Sequence, residues 1–191
     1  MIVKYSYGID QVISSKANVI DQYKQSKTEE IRADLQKHRS DIVMILQHVN
    51  YNINIGSVIR SNNAFLGKEV YIVGRRRYDK RGCAGTYHYE NVYYSDNLEE
   101  VIEHLHSLGY IVYAVDNIMQ YNPKNLLNEK LPQKSAFVFG EEGTGLLDQE
   151  LMLCDDMIYV QMYGSVRSLN VACCASIIEF EYARQWRTRS K

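Results

Sequence analysis

The sequence predicts an α/β fold in which a parallel sheet is flanked by helices. Two observations carry this prediction: short, uninterrupted apolar runs recur along the chain, and segments with apolar residues at three- and four-residue intervals separate them. An apolar run without polar alternation is typical of a strand that is covered on both faces. Strands that alternate with helices are joined by crossover connections, which make the strands parallel.

The N-terminal part differs in composition from the rest of the chain. Residues 1–40 are polar and helix-prone, and we expect a helical N-terminal extension before a single domain at residues 41–191. Ser26–Glu29 resembles a capping box, after which Ile31 and Leu35 share one helical face. The chain has two prolines and neither a repeat nor a low-complexity tract, so no second domain is expected.

The first half of the domain contains two predicted strands. Ile42–Leu46 and Val70–Val73 are apolar runs, and a helix carrying Val58, Ile59 and Phe65 lies between them. The next helix contains Leu98, Val101, Ile102, Leu105 and Leu108; Asp96 or Asn97 can cap it and Gly109 ends it.

The second half repeats this alternation. Strands are predicted at Ile111–Val115, Ala136–Phe139 and Met157–Val160, with a short helix between the last two. A final helix is predicted from about Ser168 to Trp186. The complete pattern is that of a parallel sheet covered on both sides.

Composition and charge exclude several classes of protein. The formal net charge is −1, so a nucleic-acid surface would have to come from local clustering of basic residues. The apolar stretches are too short to cross a bilayer and the N-terminus lacks a signal-peptide core, so we expect a cytoplasmic protein without a membrane partner. The four cysteines (Cys83, Cys154, Cys173 and Cys174) form no CxxC pair and the histidines are scattered. We therefore expect no metal site, and cysteines that act as small hydrophobic residues.

The first glycine-rich joint is Phe139–Leu146, which follows a predicted strand. Its GxxGxG spacing differs from the dinucleotide fingerprint GxGxxG, and it lacks the Lys-Ser/Thr pair of a P-loop. The glycines would allow backbone to approach a ligand, and Glu142 would accept hydrogen bonds there. A tight turn with a solvated glutamate accounts for the same residues, so this loop alone leaves both interpretations open.

The second joint is Gln161–Asn170, again after a strand and before a helix. Ser168 is a natural helix cap. Asn170 needs partners for its amide if it faces the interior. Two strand–loop–helix joints of this kind can face one another and form a pocket walled by backbone.

The third joint is Asn54–Arg60, followed by Ser61–Phe65. Asn54 and Arg60 are six positions apart, which does not place them simply on one helical face. They converge if Asn54 caps the helix and Arg60 reaches back along it. An arginine binds a phosphate at two points, although an arginine on a solvated helix is the ordinary alternative.

Together and in this order, the three segments resemble the motifs of the SpoU (TrmH-type) group of the SPOUT methyltransferases. NIGSVIRSNNAF resembles the first motif of that family, FGEEGTGL the second, and VQMYGSVRSLNVACCASIIEFEYARQ the third. The resemblance spans about residues 42–185. It implies a parallel sheet whose C-terminal segment is threaded through a loop as a deep trefoil knot, one of the rare exceptions to the rule against knots.

The resemblance also implies an activity, a cofactor and a set of site residues. The activity is methyl transfer from S-adenosylmethionine to a ribose 2′-hydroxyl of tRNA or rRNA. The implied catalytic set is Asn54, Arg60, Glu142, Ser168 and Asn170, and the implied cofactor contacts are Phe139, Gly140, Glu142, Ile158, Val160, Met162, Ser168 and Leu169. The family works as a homodimer with an active site shared between subunits. We expect the final helix to contribute to the interface through Ala175, Ile178, Tyr182 and Trp186.

The sequence departs from the family pattern at two places, and one catalytic role stays open. Gln161 stands where the family often has proline, and Ala172–Cys174 replaces the commoner Ser-Val-Ala, but the polar positions are kept. Because a guanidinium has a pKa above about 12, Arg60 is a poor base and is better suited to hold a phosphate. Deprotonated Arg60 as the base remains the alternative.

Basic residues mark the expected RNA surface. The densest run contains Arg75, Arg76, Arg77, Lys80 and Arg81, just after a strand, and we expect it to contact phosphates. Three other functions remain open: a SPOUT-fold RNA-binding protein without activity, a base methyltransferase, and a small-molecule nucleotide binder without an RNA partner.

Overall fold

The computed structural model describes residues 1–5, 18–74 and 77–187. Within these ranges the chain forms eight strands and five α-helices, with short 3-10 turns between some of them. In chain order they are β1 (Val3–Lys4), α1 (Thr28–His38), β2 (Ile42–Gln47), α2 (Asn52–Phe65), β3 (Glu69–Val73), β4 (Val92–Ser95), α3 (Leu98–Ser107), β5 (Ile111–Val115), β6 (Lys124–Asn125), β7 (Ser135–Phe139), α4 (Asp148–Leu151), β8 (Asp156–Tyr159) and α5 (Val171–Trp186). None of these helices is long and apolar enough to cross a membrane.

The eight described strands join one sheet in the order β1-β4-β3-β2-β7-β5-β8-β6. Neighbouring strands are parallel except β1 and β4, where Val3 lies opposite Tyr94. From β2 the chain runs outward through β3 to β4 and then crosses to β5 beyond β7, so the strand order reverses between β2 and β7. The predicted parallel α/β sheet is confirmed, and ligands of such sheets bind near a reversal of this kind.

The central strands are buried on both faces. Met44 of β2 packs in the layer that contains Ile59 of α2 and Ile178 of α5, whereas its neighbour Ile45 packs with Leu105 of α3. All five side chains are fully buried, and each such burial contributes about 1.5–3 kcal/mol. Helices on both faces explain why β2 is apolar at successive positions instead of alternating.

The final helix begins later than the sequence predicts, at Val171 instead of Ser168. Asn170 is its N-cap, because Asn170 Oδ1 accepts hydrogen bonds from the backbone amides of Ala172 at 2.9 Å and Cys173 at 3.3 Å. The interpretation of Ser168 as a cap is therefore wrong. Serine and asparagine cap helices about equally well, so the residue types do not decide between them.

The residues of α5 that we expected at a subunit interface lie inside the subunit. Ala175, Ile178 and Tyr182 are buried in the core of their own chain, and Trp186 donates its indole N–H to the Leu131 carbonyl at 3.0 Å. That expectation is wrong because an apolar stripe at helical spacing packs against its own sheet before it can serve a partner.

The described residues of the N-terminal part, 1–5 and 18–40, contain one α-helix and a 3-10 turn at Asp21–Tyr23. Val3–Lys4 extends the sheet along β4, whereas α1 begins at Thr28. The Glu30 carboxylate accepts a hydrogen bond from the Lys27 backbone amide at 2.9 Å, so the cap lies one residue later than predicted. The division into an extension and a domain at residue 40 stays a prediction.

Arg39, directly after α1, connects the end of this helix to the segments that lead into β3 and β4. Its guanidinium contacts the Glu90 carboxylate with N–O distances of 2.9 and 3.0 Å and donates to two backbone carbonyls. The two side chains are 2% and 0% exposed. Additional hydrogen bonds help to offset the free-energy cost of burying two charges. The side-chain amides of Asn62 and Asn63 donate to the same carboxylate at 2.6 and 2.8 Å.

Candidate active site

A cleft of about 520 Å³ opens at the carboxyl ends of β7, β5 and β8. The loops after these strands form its walls together with the first turns of α2 and α5. The lining residues are Tyr51, Asn54, Val115–Ile118, Phe139–Gly145, Tyr159, Val160, Met162, Arg167–Val171 and Cys174. The two joints that we expected to face one another therefore enclose one cavity.

The loop from Gly140 to Gly145 is closed on itself. The Gly145 amide donates to the Glu141 carbonyl at 2.9 Å, and the Glu141 carboxylate accepts from the Thr144 hydroxyl. A Cβ on Gly140 would lie 2.4 Å from the carbonyl carbon of Gly145, which itself has a φ of +71°. Gly140 is therefore required by a contact within the loop, and Gly145 by its left-handed backbone conformation. The sequence left open whether this segment is a tight turn or a ligand-binding loop. The structure is compatible with both, because the segment forms a tight turn and also lines the cleft.

Glu142, Asn54 and Asn170 form a hydrogen-bonded chain on the cleft wall. Asn54 Nδ2 donates to Glu142 Oε1 at 2.9 Å, and Asn170 Nδ2 donates to Asn54 Oδ1 at 3.1 Å. The second carboxylate oxygen of Glu142 accepts from the Asn50 backbone amide at 2.8 Å. Each member belongs to a different one of the three motifs, so the fold joins all three in one network.

The direction of this network follows from chemistry. An ionised carboxylate only accepts hydrogen bonds, so Asn54 must turn its NH₂ group toward Glu142 and its oxygen toward Asn170. The oxygen of Asn170 already caps α5, which leaves the NH₂ group of Asn170 for Asn54. Asn54 is only 8% exposed in the first turn of α2. Its amide is therefore held in one orientation by partners from two other loops.

Most of the predicted cofactor contacts lie together. Phe139, Gly140, Glu142, Val160, Met162, Ser168 and Leu169 all line the cleft. Ile158 does not: its side chain is fully buried in the core and its carbonyl accepts from the Asp116 amide at 3.2 Å. The backbone amides of Met162 and Leu169 have no acceptor among the described residues. Both N–H groups are available to a ligand.

Arg60 does not join the other members of the predicted catalytic set. It lies on the exposed face of α2 and is absent from the cleft lining. No side chain or carbonyl in the described ranges accepts a hydrogen bond from its guanidinium. Within one chain, Arg60 therefore does not reach back toward Asn54 as the sequence suggested.

The basic run after β3 is only partly described. Arg75 and Arg76 lie outside the described residues, and Arg77 is exposed. Lys80 Nζ lies 4.6 Å from the ring centroid of Tyr87, a distance typical of a cation–π contact. Arg81 contacts Asp79, and the Arg81 hydrogen bond holds the pKa of Asp79 below its usual value. The sequence did not reveal that this arginine forms an ion pair with a neighbouring carboxylate.

Sequence reasoning missed several polar or aromatic residues of the cleft, and the structure gives particular weight to the following ones. These are Tyr51, Asp116, Asn117 and Arg167. Asn117 Nδ2 donates to the Arg167 carbonyl at 2.8 Å and so links two of the loops. A signal was present, since Asp116 directly follows a predicted strand and polar residues at such positions converge at one edge of a parallel sheet.

Cysteines and metal ligands do not add chemistry to the cleft. Cys174 lines it, but burial raises the pKa of this thiol to about 12. Burial likewise raises the pKa values of Cys83 and Cys154 to about 12, so these thiols stay protonated and inert. In residues 1–5, 18–74 and 77–187, no three His, Cys, Asp or Glu side chains are grouped to hold a metal ion.

A parallel sheet with a polar cleft at the carboxyl edge defines an α/β protein that binds a small ligand there. The chain belongs to the SpoU rRNA Methylase family, because the sequence model of that family matches residues 41–180. The matched range contains the first two motifs, the third motif as far as Phe180, and the whole Glu142–Asn54–Asn170 network. The resemblance inferred from the motifs is confirmed.

Individual relatives agree with this assignment. The chain is 25% identical over 164 residues to the tRNA (guanosine(18)-2′-O)-methyltransferase of Thermus thermophilus. The aligned region covers 84% of each protein. The A. aeolicus TrmH/SpoU tRNA modifying enzyme has a similar fold, with a TM-score of 0.76, 20% identity and coverage of 85% of this chain and 83% of that one. The AdoMet complex of the SpoU methyltransferase AviRb from Streptomyces viridochromogenes gives a TM-score of 0.69 at 24% identity, with coverage of 81% and 64%.

Proposed function

We propose that this chain transfers the methyl group of S-adenosylmethionine to a ribose 2′-hydroxyl of tRNA or rRNA. Membership in an RNA methylase family supports this function, as does the name of the Thermus thermophilus relative. The observation that carries it is the Glu142–Asn54–Asn170 network, which unites the three motifs on the wall of one cleft.

The cleft fits S-adenosylmethionine. Its volume of about 520 Å³ lies within the range of roughly 300–1,000 Å³ that is usual for small-ligand sites. The free amides of Met162 and Leu169 suit an adenine, whose ring nitrogens accept hydrogen bonds. Phe139, Gly140 and Val160 add backbone and apolar surface. When bound, this group supplies a methyl carbon that is activated by a positively charged sulfur.

The residues of the chain then act chiefly by alignment. Asn54, held by Glu142 and Asn170, orients the ribose that carries the reacting hydroxyl, and the exposed hydroxyl of Ser168 adds a contact. Alignment of two reactants supplies roughly 7–11 kcal/mol of the barrier reduction. Arg60 holds an adjacent phosphate, and an oxygen of that phosphate or a water molecule takes the proton of the hydroxyl.

A homodimer accounts for the position of Arg60. Arg60 is exposed on α2, next to an outward face of α5 where Ile177 and Phe180 are 38% and 58% exposed. Phe180 meets Phe65 of α2 edge to face at 6.3 Å, so the two helices share this surface. In the proposed dimer Arg60 serves the partner's cleft. The transfer rate per chain then falls on dilution, while S-adenosylmethionine binding does not.

Two features of the family are proposed for this chain on the same basis. The first is the trefoil knot, in which α5 and the loop before it are threaded through the preceding chain. The second is an RNA surface that includes Arg77 and Lys80, which are exposed after β3. We also propose that the protein works in the cytoplasm, where tRNA and rRNA are found.

The test has two stages. Calorimetric titration with S-adenosylmethionine should show binding at one site per chain. Incubation with methyl-labelled S-adenosylmethionine and purified tRNA or rRNA, followed by nucleoside analysis, should yield a 2′-O-methylated nucleoside. A methylated base would instead identify a base methyltransferase. RNA binding without transfer to any RNA would identify an inactive RNA-binding protein.

A further inference from the structure

Asp116 lines the cleft at the carboxyl end of a central strand. It directly follows β5, which lies between β7 and β8 in the sheet. Val115, the preceding residue, is opposite Phe139 on one side and Ile158 on the other. Asp116 therefore stands between the two strand ends whose backbone is proposed to hold the adenosine.

The carboxylate of Asp116 has one uncommitted oxygen. Oδ1 accepts from the backbone amide of Asn117 at 2.7 Å, which fixes the side chain. Oδ2 has no hydrogen-bond donor among the described residues. It lies 2.7 Å from the position that a Cβ on Gly145 would take, so the glycine leaves room for this oxygen.

The other two carboxylates of the cleft are engaged. Glu141 accepts from the Thr144 hydroxyl within its own loop, and Glu142 accepts from Asn54 and the Asn50 amide. Among the carboxylates of the described cleft, Asp116 is thus the one with an oxygen that accepts no hydrogen bond. The pKa of the Cys174 thiol, which also lines the cleft, is raised mainly by burial and to a smaller extent by the negative charge of Asp116.

We infer that Asp116 binds the ribose hydroxyls of the methyl donor and selects for an intact ribose. A carboxylate can accept from two vicinal hydroxyls, and acidic residues near strand ends bind ribose in other parallel α/β proteins. Asn117, which donates to the Arg167 carbonyl, ties the segment to the opposite wall and keeps the carboxylate in position. This inference rests on the proposed function, because it presumes that the donor is S-adenosylmethionine.

Calorimetry on the full chain tests the inference without any transfer reaction. The ligands are S-adenosylmethionine, S-adenosylhomocysteine and the 2′-deoxyribose analogue of S-adenosylhomocysteine. The Asp116→Ala variant should bind the first two about 10–100-fold more weakly than the wild type, since hydrogen bonds to a charged group are lost. Removal of the 2′-hydroxyl should weaken binding to the wild type and have little further effect on Asp116→Ala.

Two control variants and the choice of ligands separate ribose recognition from attraction to the sulfonium charge. Asp116→Asn keeps one acceptor oxygen and should give an intermediate loss, and Glu99→Gln, an exposed carboxylate on α3, should give none. Unchanged affinity in Asp116→Ala would overturn the inference. So would a loss confined to S-adenosylmethionine, which would indicate attraction to the sulfonium charge. A folded wild-type protein that binds neither S-adenosylmethionine nor S-adenosylhomocysteine would refute the proposed function itself.

Discussion

The side chains of Asn170 and Asn54 share a hydrogen bond of 3.1 Å although 116 positions separate them in the chain. Asn170 has two tasks in this arrangement, because its oxygen caps α5 while its NH₂ group fixes Asn54. The cap is a matter of stability, and the contact to Asn54 is a matter of catalysis in the proposed reaction. Substitutions that keep one task and remove the other can separate them.

Asn170→Asp should keep the fold and lose turnover. Aspartate supplies the same capping oxygen but has no N–H to donate to Asn54. Asn170→Ala loses the cap as well, which should lower the free energy of unfolding by about 0.5–2 kcal/mol. Urea unfolding and single-turnover methyl transfer measure the two effects. Wild-type turnover in Asn170→Asp would show that the hydrogen bond from Asn170 to Asn54 is not required for transfer.

Glu142→Gln should reduce turnover by about 10–100-fold. The glutamine side chain has no negative charge, and its NH₂ group would face one of the two N–H donors that the carboxylate now binds. Glu142 now accepts from both Asn54 and the Asn50 amide. The matched control is Glu99→Gln on α3, which removes an exposed carboxylate outside the cleft. Steady-state transfer kinetics with the proposed RNA substrate measure the change. Equal rates in both variants would contradict a role for the network.

The buried Arg39–Glu90 pair should dominate the stability of the N-terminal helix. Glu90→Gln leaves a guanidinium that is 2% exposed without its counter-charge, which should cost about 3–5 kcal/mol in the free energy of unfolding. Asp21→Asn breaks an exposed ion pair with Lys24 and should have no measurable effect. Urea denaturation checks both, and a small change in Glu90→Gln would mean that the site relaxes to admit water.

Glu179 should make the protein less stable as the pH rises. Burial raises the pKa of this carboxyl well above its ordinary value of 4.5, against the smaller effect of a hydrogen bond from Ser61. A raised pKa in the folded state favours the protonated form, so its stability contribution is complete below 4.5 and is lost as the pH rises toward the folded-state pKa. Glu179→Gln should flatten this slope in urea unfolding measured from pH 4 upward. An unchanged slope would assign the pH dependence to other groups.

RNA affinity should depend on salt through the exposed lysine and arginine after β3. Lys80→Ala and Arg77→Ala should each reduce the slope of log affinity against log salt by about 0.7–0.9 for every phosphate contact removed. Lys37→Ala, on the exposed face of α1, serves as the control. Filter binding at several salt concentrations gives the slopes. Identical slopes in all variants would place the RNA elsewhere.

The sequence predicted the architecture better than the details of the site. A strand that is buried on both faces is an uninterrupted apolar run in the sequence. The predicted ends of β2 and β7 therefore agree with the structure to within one or two residues. The true cap of α5 and the free carboxylate of Asp116 left weaker traces, because each depends on which polar atom another loop satisfies. The interface residues proposed on α5 failed for a related reason, since helical periodicity does not tell an intramolecular core from an intermolecular one.

The Glu142–Asn54–Asn170 network also constrains how this sequence can diverge. Loss of Asn54 removes a hydrogen-bond partner from both neighbours, and loss of Glu142 or Asn170 removes one from Asn54. A second change in the network should therefore cost less after the first than it would alone. The three segments, far apart in the chain, are therefore expected to drift together and not one at a time. A change of function at this site is therefore constrained by three segments of the chain instead of one.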